Sequence, residues 1–181
     1  MQTENPETTA PLSLAWFDSP VGMLVGGATE EAVVLLQFAD DMPRTDVITM
    51  LERRFARPIT EAGNPHLTVL STELASYFSG TLKQFSVPLA YEGSGFQRDV
   101  WSELLKIPYG EVRSYQDIAD ALRMPNATRA VGHANGQNRI AIVIPCHRVV
   151  NTGGALGGYG GGLWRKRKLL DLEHGQKGLG F

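Results

Sequence analysis

The single cysteine of this chain lies in the run Ile142-Val143-Ile144-Pro145-Cys146-His147-Arg148-Val149-Val150. The apolar residues of this run predict a strand, with Cys146 at its end. A single cysteine cannot form an intramolecular disulfide or a multi-cysteine zinc site. The thiol is therefore either a small buried hydrophobic group or a reactive nucleophile, and the run alone leaves both open.

A helix, a turn and a second helix are predicted upstream of the cysteine. Ser114 can cap the first helix, with Asp117 three residues later as in a capping box. A turn at residues 123–126 leads to a second helix at residues 127–135, which is rich in small residues and carries Arg129. This pattern is typical of a DNA-binding helix-turn-helix, although a hairpin of two core helices has the same pattern.

Two features near the cysteine favour a nucleophile, the helix-turn-helix upstream of it and a glycine-dense loop downstream. Residues 153–162 form a glycine-dense loop, which lets a bulky ligand approach the backbone. The last helix, at residues 164–173, ends at Glu173, which can orient His147 as a base for Cys146. Neighbours on an extended chain point to opposite faces, so this pairing needs a bridging water or a turn after the proline. A solvated helix end is the alternative for the glutamate.

The first half of the chain predicts an antiparallel meander with helices and no catalytic constellation. Apolar runs and turn signals predict three strands, two helices and a return strand, at residues 12–17, 21–25, 32–38, 47–55, 67–78 and 85–89. We expect this half to act as a scaffold.

Residues 92–95 are the best candidate for a domain boundary, because glycines coincide there with a change of charge sign. Residues 1–92 contain five Lys and Arg against twelve Asp and Glu, whereas residues 93–181 contain twelve against seven. A basic half suggests contact with a polyanion, although charges can also be distributed unevenly between two halves by chance. The predicted fold class is α/β of the α+β kind. A small N-terminal antiparallel sheet with helices precedes a mostly helical C-terminal domain, which contains the helix-turn-helix and an active-site strand.

The composition is that of an ordinary globular protein, with 43% hydrophobic and 20% charged residues. No apolar run approaches the roughly 18 residues needed to span a bilayer, so no membrane partner is expected. The first ten residues are polar and acidic, unlike a secretory signal. Together with the unpaired cysteine, this favours a reducing, cytoplasmic location.

Residues 96–173 resemble the catalytic domain of the O6-alkylguanine-DNA alkyltransferases, the methylated-DNA–protein-cysteine methyltransferases. The most specific match is the pentad Pro145-Cys146-His147-Arg148-Val149. Further matches follow the family's order and spacing: Phe96-Gln97, Val100-Trp101, Ile107-Pro108-Tyr109-Gly110, Ser114-Tyr115, Arg129-Ala130-Val131-Gly132, Ala134-Asn135, Asn138, Gly158-Tyr159, Leu169-Leu170 and Glu173. By this resemblance, residues 1–92 are a ribonuclease-H-like scaffold domain, and residues 93–181 are the DNA-binding and alkyl-acceptor domain.

The resemblance implies direct repair of DNA. The alkyl group of O6-alkylguanine, or of O4-alkylthymine, would be transferred irreversibly to Cys146, so that each molecule acts once. His147 would take the thiol proton through a water, Glu173 would hold the imidazole, and Asn138 would tie the recognition helix to the active-site strand. No metal or organic cofactor is implied, and the expected partner is double-stranded DNA, bound by a monomer.

The resemblance also implies contacts with the DNA outside the reacting centre. Tyr115 would crowd the phosphate of the target nucleotide and help to rotate that nucleotide outward. Arg129 would enter the stack in place of the extruded base. Gln116 and Thr152 match positions that contact the DNA backbone.

The guanine edge would be read by main-chain groups around Cys146, Val149 and Gly160, and Tyr159 is the remaining substrate-binding residue. The loop carries three consecutive glycines at residues 160–162. We expect it to be open, with its missing side chains admitting alkyl groups larger than methyl.

Three competing functions fit the chain less well. A fusion to a transcription-activating module would use a four-cysteine zinc site, and the non-enzymatic alkyltransferase-like proteins lack the acceptor cysteine. A cysteine hydrolase would turn over, and the adjacent Cys146 and His147 suit it poorly. Arg139 stands where the family commonly has proline. It adds a positive charge, and the loop lacks the rigidity that a proline ring would give it.

Overall fold

The computed structural model describes residues 10–40 and 42–175. The strands are β1 (Leu12–Phe17), β2 (Leu24–Ala28), β3 (Val33–Phe38), β4 (Ile59–Thr60), β5 (Arg113–Ser114) and β6 (Val149–Val150). The helices are α1 (Arg44–Phe55), α2 (Pro65–Phe78), α3 (Gly95–Leu104), α4 (Tyr115–Ala121), α5 (Thr128–Gly136) and α6 (Leu163–Glu173). None of the helices in these two ranges is long and apolar enough to cross a membrane. The sequence predicts no secretory signal in residues 1–10. Of these residues, Ala10 alone lies within the described ranges.

The N-terminal sheet has the strand order β3-β2-β1-β4. The first three strands of the chain pair in antiparallel fashion, which confirms the predicted meander. β2 begins at Leu24 and not at Val21, because the chain turns first. The Gly22 N–H donates to the Ser19 carbonyl at 3.0 Å, and Gly22 has a φ of 101°, which favours glycine. β4 adds two residues in parallel with β1.

The prediction of a return strand at residues 85–89 is wrong. This segment forms one isolated bridge, between Leu89 and Val33. The backbone N–H of Ser86 donates instead to the Glu73 carboxylate at 2.9 Å. Since a side chain takes this donor, the segment does not build a β-ladder with a neighbouring strand.

The predicted arrangement of helix, turn and helix is confirmed. Ser114 caps α4 through a capping box with Asp117: its hydroxyl accepts from the Asp117 N–H at 3.0 Å, and the Asp117 carboxylate accepts from the Ser114 N–H at 2.7 Å. A 3₁₀ turn at Pro125–Ala127 connects α4 to α5. α3 begins in the same way, with a capping box between Ser94 and Gln97.

The predicted active-site strand begins only after the cysteine. Cys146–Arg148 is a single 3₁₀ turn, in which the Arg148 N–H donates to the Pro145 carbonyl at 3.0 Å. The two residues of β6 follow and pair in parallel with β5. The apolar residues before the turn are not extended either, since Ile142 has a φ of 71°. The run is apolar because it lies in the core, and a short apolar run does not distinguish a strand from other buried backbone.

One core cluster joins the two halves of the chain. It contains Leu36 of β3 and Leu70 of α2 together with Trp101 of α3 and Ile144 before the cysteine. The Leu36 carbonyl also accepts from the Ala141 N–H at 2.8 Å. This contact holds the segment that carries the cysteine against the N-terminal sheet. The predicted α+β fold class, with an N-terminal antiparallel sheet and a mostly helical second half, is confirmed.

Candidate active site

Cys146 is buried but borders a cavity. Of the whole residue, 5% is exposed. The cavity has a volume of about 290 Å³, close to the lower end of the range for ligand pockets. Its wall also includes Asn135 in the last turn of α5, Asn138 just after that helix, and Tyr159 and Gly160 in the glycine loop. The sulfur can therefore meet a small group without being open to bulk water.

Four groups around the sulfur favour its anionic form. Asn138 Nδ2 donates to Cys146 Sγ at 3.1 Å, and the backbone N–H groups of Cys146 and His147 also donate to the sulfur. The ammonium group of Lys166 adds a positive charge nearby. Burial raises the pKa of the Cys146 thiol, and these groups oppose the shift. Because burial outweighs them, the thiol keeps its proton at neutral pH until a base removes it.

Glu173 binds partners from three parts of the chain, one of which is Gly110, whose backbone N–H donates to Oε2 at 3.2 Å. Its Oε1 lies 2.8 Å from His147 Nε2 and accepts from the Tyr77 hydroxyl at 2.7 Å. Arg148 donates to both oxygens, from Nε at 2.8 Å and from Nη2 at 3.0 Å. Burial alone would raise the pKa of Glu173, but the hydrogen bonds from His147 and Arg148, together with the positive charge of Arg148, outweigh it and hold the pKa well below its usual range. Since Glu173 is 6% exposed, the alternative of a solvated helix end is excluded.

His147 is held as a neutral base. Its side chain is fully buried, and burial lowers the pKa of His147 even though Glu173 acts in the opposite direction. Because an ionised carboxylate only accepts hydrogen bonds, Nε2 carries the ring proton and Nδ1 keeps its lone pair. Nδ1 is buried and has no hydrogen-bond partner among the described residues. The geometry therefore fits the predicted pairing, in which Glu173 orients the imidazole.

Lys166 is a charged residue of the site that sequence reasoning missed. It is fully buried, and its Nζ donates to the carbonyls of Val149 at 2.5 Å and Gly158 at 3.3 Å. Burial lowers the pKa of Lys166 to about 8, and the negative charge that Cys146 gains when it loses its proton acts in the opposite direction. The lysine ties the glycine loop to β6. In the sequence it belongs to the basic run at residues 165–168. Such a run is typical of a solvated helix face, so the sequence does not indicate that Lys166 is buried.

The N-terminal half also forms part of the cavity wall, through Gln37 and Phe38 at the end of β3. The rings of Phe38 and Tyr159 meet edge to face, with centroids 6.2 Å apart. A Cβ at Gly161 would collide with the same Phe38 ring. The prediction of an open loop is therefore wrong at Gly161, where an aromatic side chain from the other half fills the space.

The predicted substrate-binding residues of the loop and of β6 lie around the cavity. Tyr159 and Gly160 line it, and the Tyr159 hydroxyl is buried with no partner in the described part of the chain. Tyr115 lies beside the glycine loop, with its hydroxyl 3.4 Å from the Gly158 carbonyl. Val149 is fully buried in β6. Of these four residues, Tyr159 and Gly160 form the cavity wall, whereas Tyr115 lies beside the glycine loop and Val149 lies in the core.

The residues predicted to contact the DNA backbone and the base stack do not line the cavity. Arg129 on α5 and Thr152 after β6 are exposed. Gln116 is bonded within the protein instead: its amide nitrogen donates to the Pro125 carbonyl at 3.0 Å, and its amide oxygen accepts from the Thr128 hydroxyl at 2.6 Å. Gln116 thus ties α4 to the turn, and a contact with DNA would compete with these bonds.

The extra charge at Arg139 faces Arg54 of α1. Both residues line a groove of about 160 Å³ that shares Gln37 and Asn138 with the wall of the main cavity. Burial, and then repulsion from Arg139, lowers the pKa of Arg54. The residue that replaces the family's proline therefore adds positive charge at the junction of the two halves.

The arrangement can remove a proton from a thiol and direct the resulting thiolate at a carbon. It combines a sulfur at a cavity wall, a neutral imidazole, an ionised carboxylate and a nearby ammonium group. These are the parts of an activated cysteine nucleophile. Within residues 10–40 and 42–175, no three His, Cys, Asp or Glu side chains cluster in a way that would hold a metal ion.

Known proteins resemble this chain over both halves. A family model described as the DNA-binding domain of 6-O-methylguanine DNA methyltransferase matches residues 95–175. A methylated-DNA–protein-cysteine methyltransferase from Mycolicibacterium paratuberculosis is 44% identical over 86% of this chain and 88% of its own length. Another from Mycobacterium leprae is 42% identical over 88% of this chain and 91% of its own length.

Solved structures agree with the sequence comparison. The Mycobacterium tuberculosis O6-methylguanine methyltransferase has a TM-score of 0.78 at 40% identity, covering 91% of this chain and 94% of its own. The OGT of the same organism in complex with DNA matches with the same TM-score at 41% identity. The resemblance first seen in the pentad around Cys146 is therefore confirmed. The chain belongs to the methylated-DNA–protein-cysteine methyltransferase family.

Proposed function

We propose that the protein repairs alkylated DNA by transferring the alkyl group of O6-alkylguanine, and of O4-alkylthymine, to Cys146, once per molecule. The observation that carries this proposal is the position of Cys146 Sγ at a cavity wall, with Asn138 donating to it at 3.1 Å. The next residue, His147, is a neutral imidazole held by Glu173 at 2.8 Å. A relative of this chain has been crystallised in complex with DNA, which supports duplex DNA as the partner.

The transfer begins with removal of the thiol proton. His147 Nδ1 accepts this proton through a water, and Glu173 stabilises the imidazolium that forms. Asn138 and Lys166 stabilise the thiolate, which attacks the alkyl carbon. The S–C bond forms as the C–O6 bond breaks, and the proton removed from the thiol passes to the guanine, which is left as the neutral, unalkylated base. The product is a thioether, which water does not readily cleave, so the sulfur is not regenerated.

The target base must leave the duplex before the sulfur can reach it. In this proposal α5 is the recognition helix, and the exposed Arg129 on it fills the gap in the stack. Tyr115, beside the glycine loop, helps to rotate the nucleotide outward, while Gln116 and Thr152 contact the backbone. Unstacking costs a few kcal/mol, and less for a lesion that already pairs badly, so damage is selected without reading the sequence.

We also propose that residues 1–92 act as a ribonuclease-H-like scaffold and residues 93–181 as the part that binds DNA and accepts the alkyl group. The position of Cys146, His147 and Glu173 in the second range supports this division. A cytoplasmic location is supported by the unpaired cysteine, since the reaction needs a reduced thiol. The protein acts as a monomer in this proposal.

Intact mass measurement tests this function directly. After incubation with duplex DNA containing O6-methylguanine, we expect the protein to gain about 14 Da, the mass of one methylene. The same duplex with unmodified guanine is the control and should leave the mass unchanged. Cys146→Ala should abolish the gain, and Cys146→Ser, which keeps the size of the side chain, should abolish it as well. Several methyl groups removed per protein molecule, or a gain that survives either substitution, would contradict the proposal.

A further inference from the structure

The groove at the junction of the two halves contains two arginines without a counter-charge. Arg54 of α1 and Arg139 after α5 both line it. Neither guanidinium forms a hydrogen bond or an ion pair with any residue that the structure describes. Glu92 lines the groove as well, but its carboxylate pairs with neither arginine. An anion between the two guanidinium groups would offset their mutual repulsion, so the groove favours an anionic ligand.

The amide of Gln137 adds a neutral donor to the same groove. The backbone N–H of Ser94 donates to Gln97 Oε1 at 2.7 Å, which leaves Gln97 Nε2 to donate to Gln137 Oε1. Because the oxygen of the Gln137 amide is taken in this way, its nitrogen faces away from Gln97 and stays free to donate. Two guanidinium groups and an amide nitrogen are donors that suit the oxygens of a phosphate.

The groove lies beside the active-site cavity. It shares Gln37, Gly136 and Asn138 with the cavity wall. Gly136 is the last residue of α5, and the exposed Arg129 lies near the other end of this helix. A DNA strand that delivers a base to Cys146 brings its backbone to the opening of the cavity. The two arginines are therefore placed where phosphates of bound DNA would pass.

We propose that Arg54 and Arg139 form a phosphate site, which holds one backbone phosphate of the DNA near the extruded nucleotide. This inference rests on the proposed function and adds to it a DNA contact made by the first half of the chain. Arginine suits the role because its planar fork binds two phosphate oxygens at once. The contact does not depend on the base, so it contributes affinity without reading the sequence.

The salt dependence of DNA affinity tests the site. Binding of the full chain to a duplex with O6-methylguanine is measured by fluorescence anisotropy between about 50 and 200 mM salt. All proteins carry Cys146→Ser, so that binding is measured without methyl transfer. Each phosphate contact contributes about 0.9 to the slope of log affinity against log salt. We expect the double variant Arg54→Gln with Arg139→Gln to lower the slope by about one and to weaken binding about tenfold.

Arg53→Gln is the matched control for this measurement. It removes the same charge from the same helix, but Arg53 is exposed and does not line the groove. Its slope should stay close to that of the protein with both arginines. Since Arg54 is exposed too, Arg54→Gln alone decides the matter if the double variant does not fold. A double variant, or in that case Arg54→Gln, with the slope of Arg53→Gln would overturn the inference.

Uncharged phosphates locate the contact on the DNA. In a series of the same duplex, one phosphate at a time is replaced by a methylphosphonate. One replacement near the lesion should weaken binding about tenfold when both arginines are present and leave the double variant unchanged, because that variant no longer holds this phosphate. Replacements that affect both proteins equally at every position would overturn the assignment.

Inorganic phosphate is the probe for the other source of the same chemistry. A free ion in the groove would raise the unfolding temperature at constant ionic strength, and the double variant would lose this rise. That result, together with an unchanged salt slope, would overturn the DNA contact in favour of a free ion. Failure of the proposed function is distinguishable from all of these outcomes, because the protein with Cys146 intact would then gain no mass from the O6-methylguanine duplex.

Discussion

The two halves of the chain bury polar side chains to very different extents. Tyrosine and tryptophan aside, the described residues of the first half bury one such side chain, Asn64, whereas those of the second half bury six: Asn135, His147, Arg148, Arg165, Lys166 and Glu173. Asn64 caps α2, accepting from the N–H groups of His66 at 2.9 Å and Leu67 at 3.3 Å. The first half is thus held by apolar packing and helix caps, and the second half contains a polar network within its core.

This difference shows that the second half contains the buried charged groups, which the chemistry needs and which are costly to bury. Burying a charged group is costly unless it is paired and hydrogen-bonded. The second half meets that condition around Glu173, which accepts from Arg148, Tyr77 and the Gly110 N–H. Tyr77 is the one partner in that list from the first half. The two halves therefore differ in how many polar side chains they bury, but both contact the Glu173 carboxylate. Substitutions in each half can test what it contributes to stability and to the reaction.

The largest effect is expected from Glu173→Gln. The substitution leaves the buried guanidinium of Arg148 without its counter-charge and His147 without its ionised partner. Breaking a buried ion pair in this way costs about 3–5 kcal/mol of unfolding free energy, so we expect a loss of that order in denaturant unfolding. Methyl transfer should also nearly cease in single-turnover assays. A variant with normal stability would show that the network does not hold this half together.

The same variant makes a prediction about acid. The pKa of Glu173 is held well below its usual range in the folded protein, so the stability it contributes is present above its unfolded pKa of about 4.3 and is lost as the pH falls below that value. The difference in unfolding free energy between the unaltered protein and Glu173→Gln should therefore be full at pH 6 and shrink towards pH 2. A difference that is the same at both pH values would count against an ionised Glu173.

A smaller effect is expected from Tyr77→Phe, which sharpens the comparison because Tyr77 belongs to the first half. Its hydroxyl donates to Glu173 at 2.7 Å, and a hydrogen bond to a charged group contributes about 1.5–3 kcal/mol. We expect a loss of unfolding free energy in that range and slower methyl transfer. Tyr91→Phe is the matched control, because Tyr91 contacts Trp101 through its ring, at a centroid distance of 5.7 Å. Equal losses in the two variants would remove Tyr77 from the network.

The smallest effect is expected from Asn64→Ala, the counterpart in the first half. Loss of an N-cap costs about 1 kcal/mol, and this side chain also donates to the Thr29 carbonyl at 2.9 Å. We expect lower stability with an unchanged rate of methyl transfer, since the residue contacts nothing in the site. Asn64→Asp keeps the capping oxygen and should recover most of the loss. A slower transfer in Asn64→Ala would show that the first half does more than support the second.

Local features of the site could be predicted well from sequence. The capping box of Ser114 and Asp117 depends on residues three apart, and the structure contains it. The Cys146–His147 pair and Glu173 carry chemistry that residue types alone suggest, and the structure brings His147 and Glu173 to 2.8 Å. In contrast, the strand predicted at the cysteine is a turn, because burial and not alternation makes that run apolar.

The sequence by itself determined which reactive groups exist, where helices begin and that one thiol is available, because these depend on residue type and short spacing. Only the tertiary structure decided which distant side chains support that thiol. Tyr77 meets Glu173 across 96 positions, and Phe38 meets Gly161 across the junction of the halves. Lys166 looks like part of a solvated basic run until packing buries it. Such contacts depend on how the core closes, and no local pattern encodes which of many apolar or charged residues will meet.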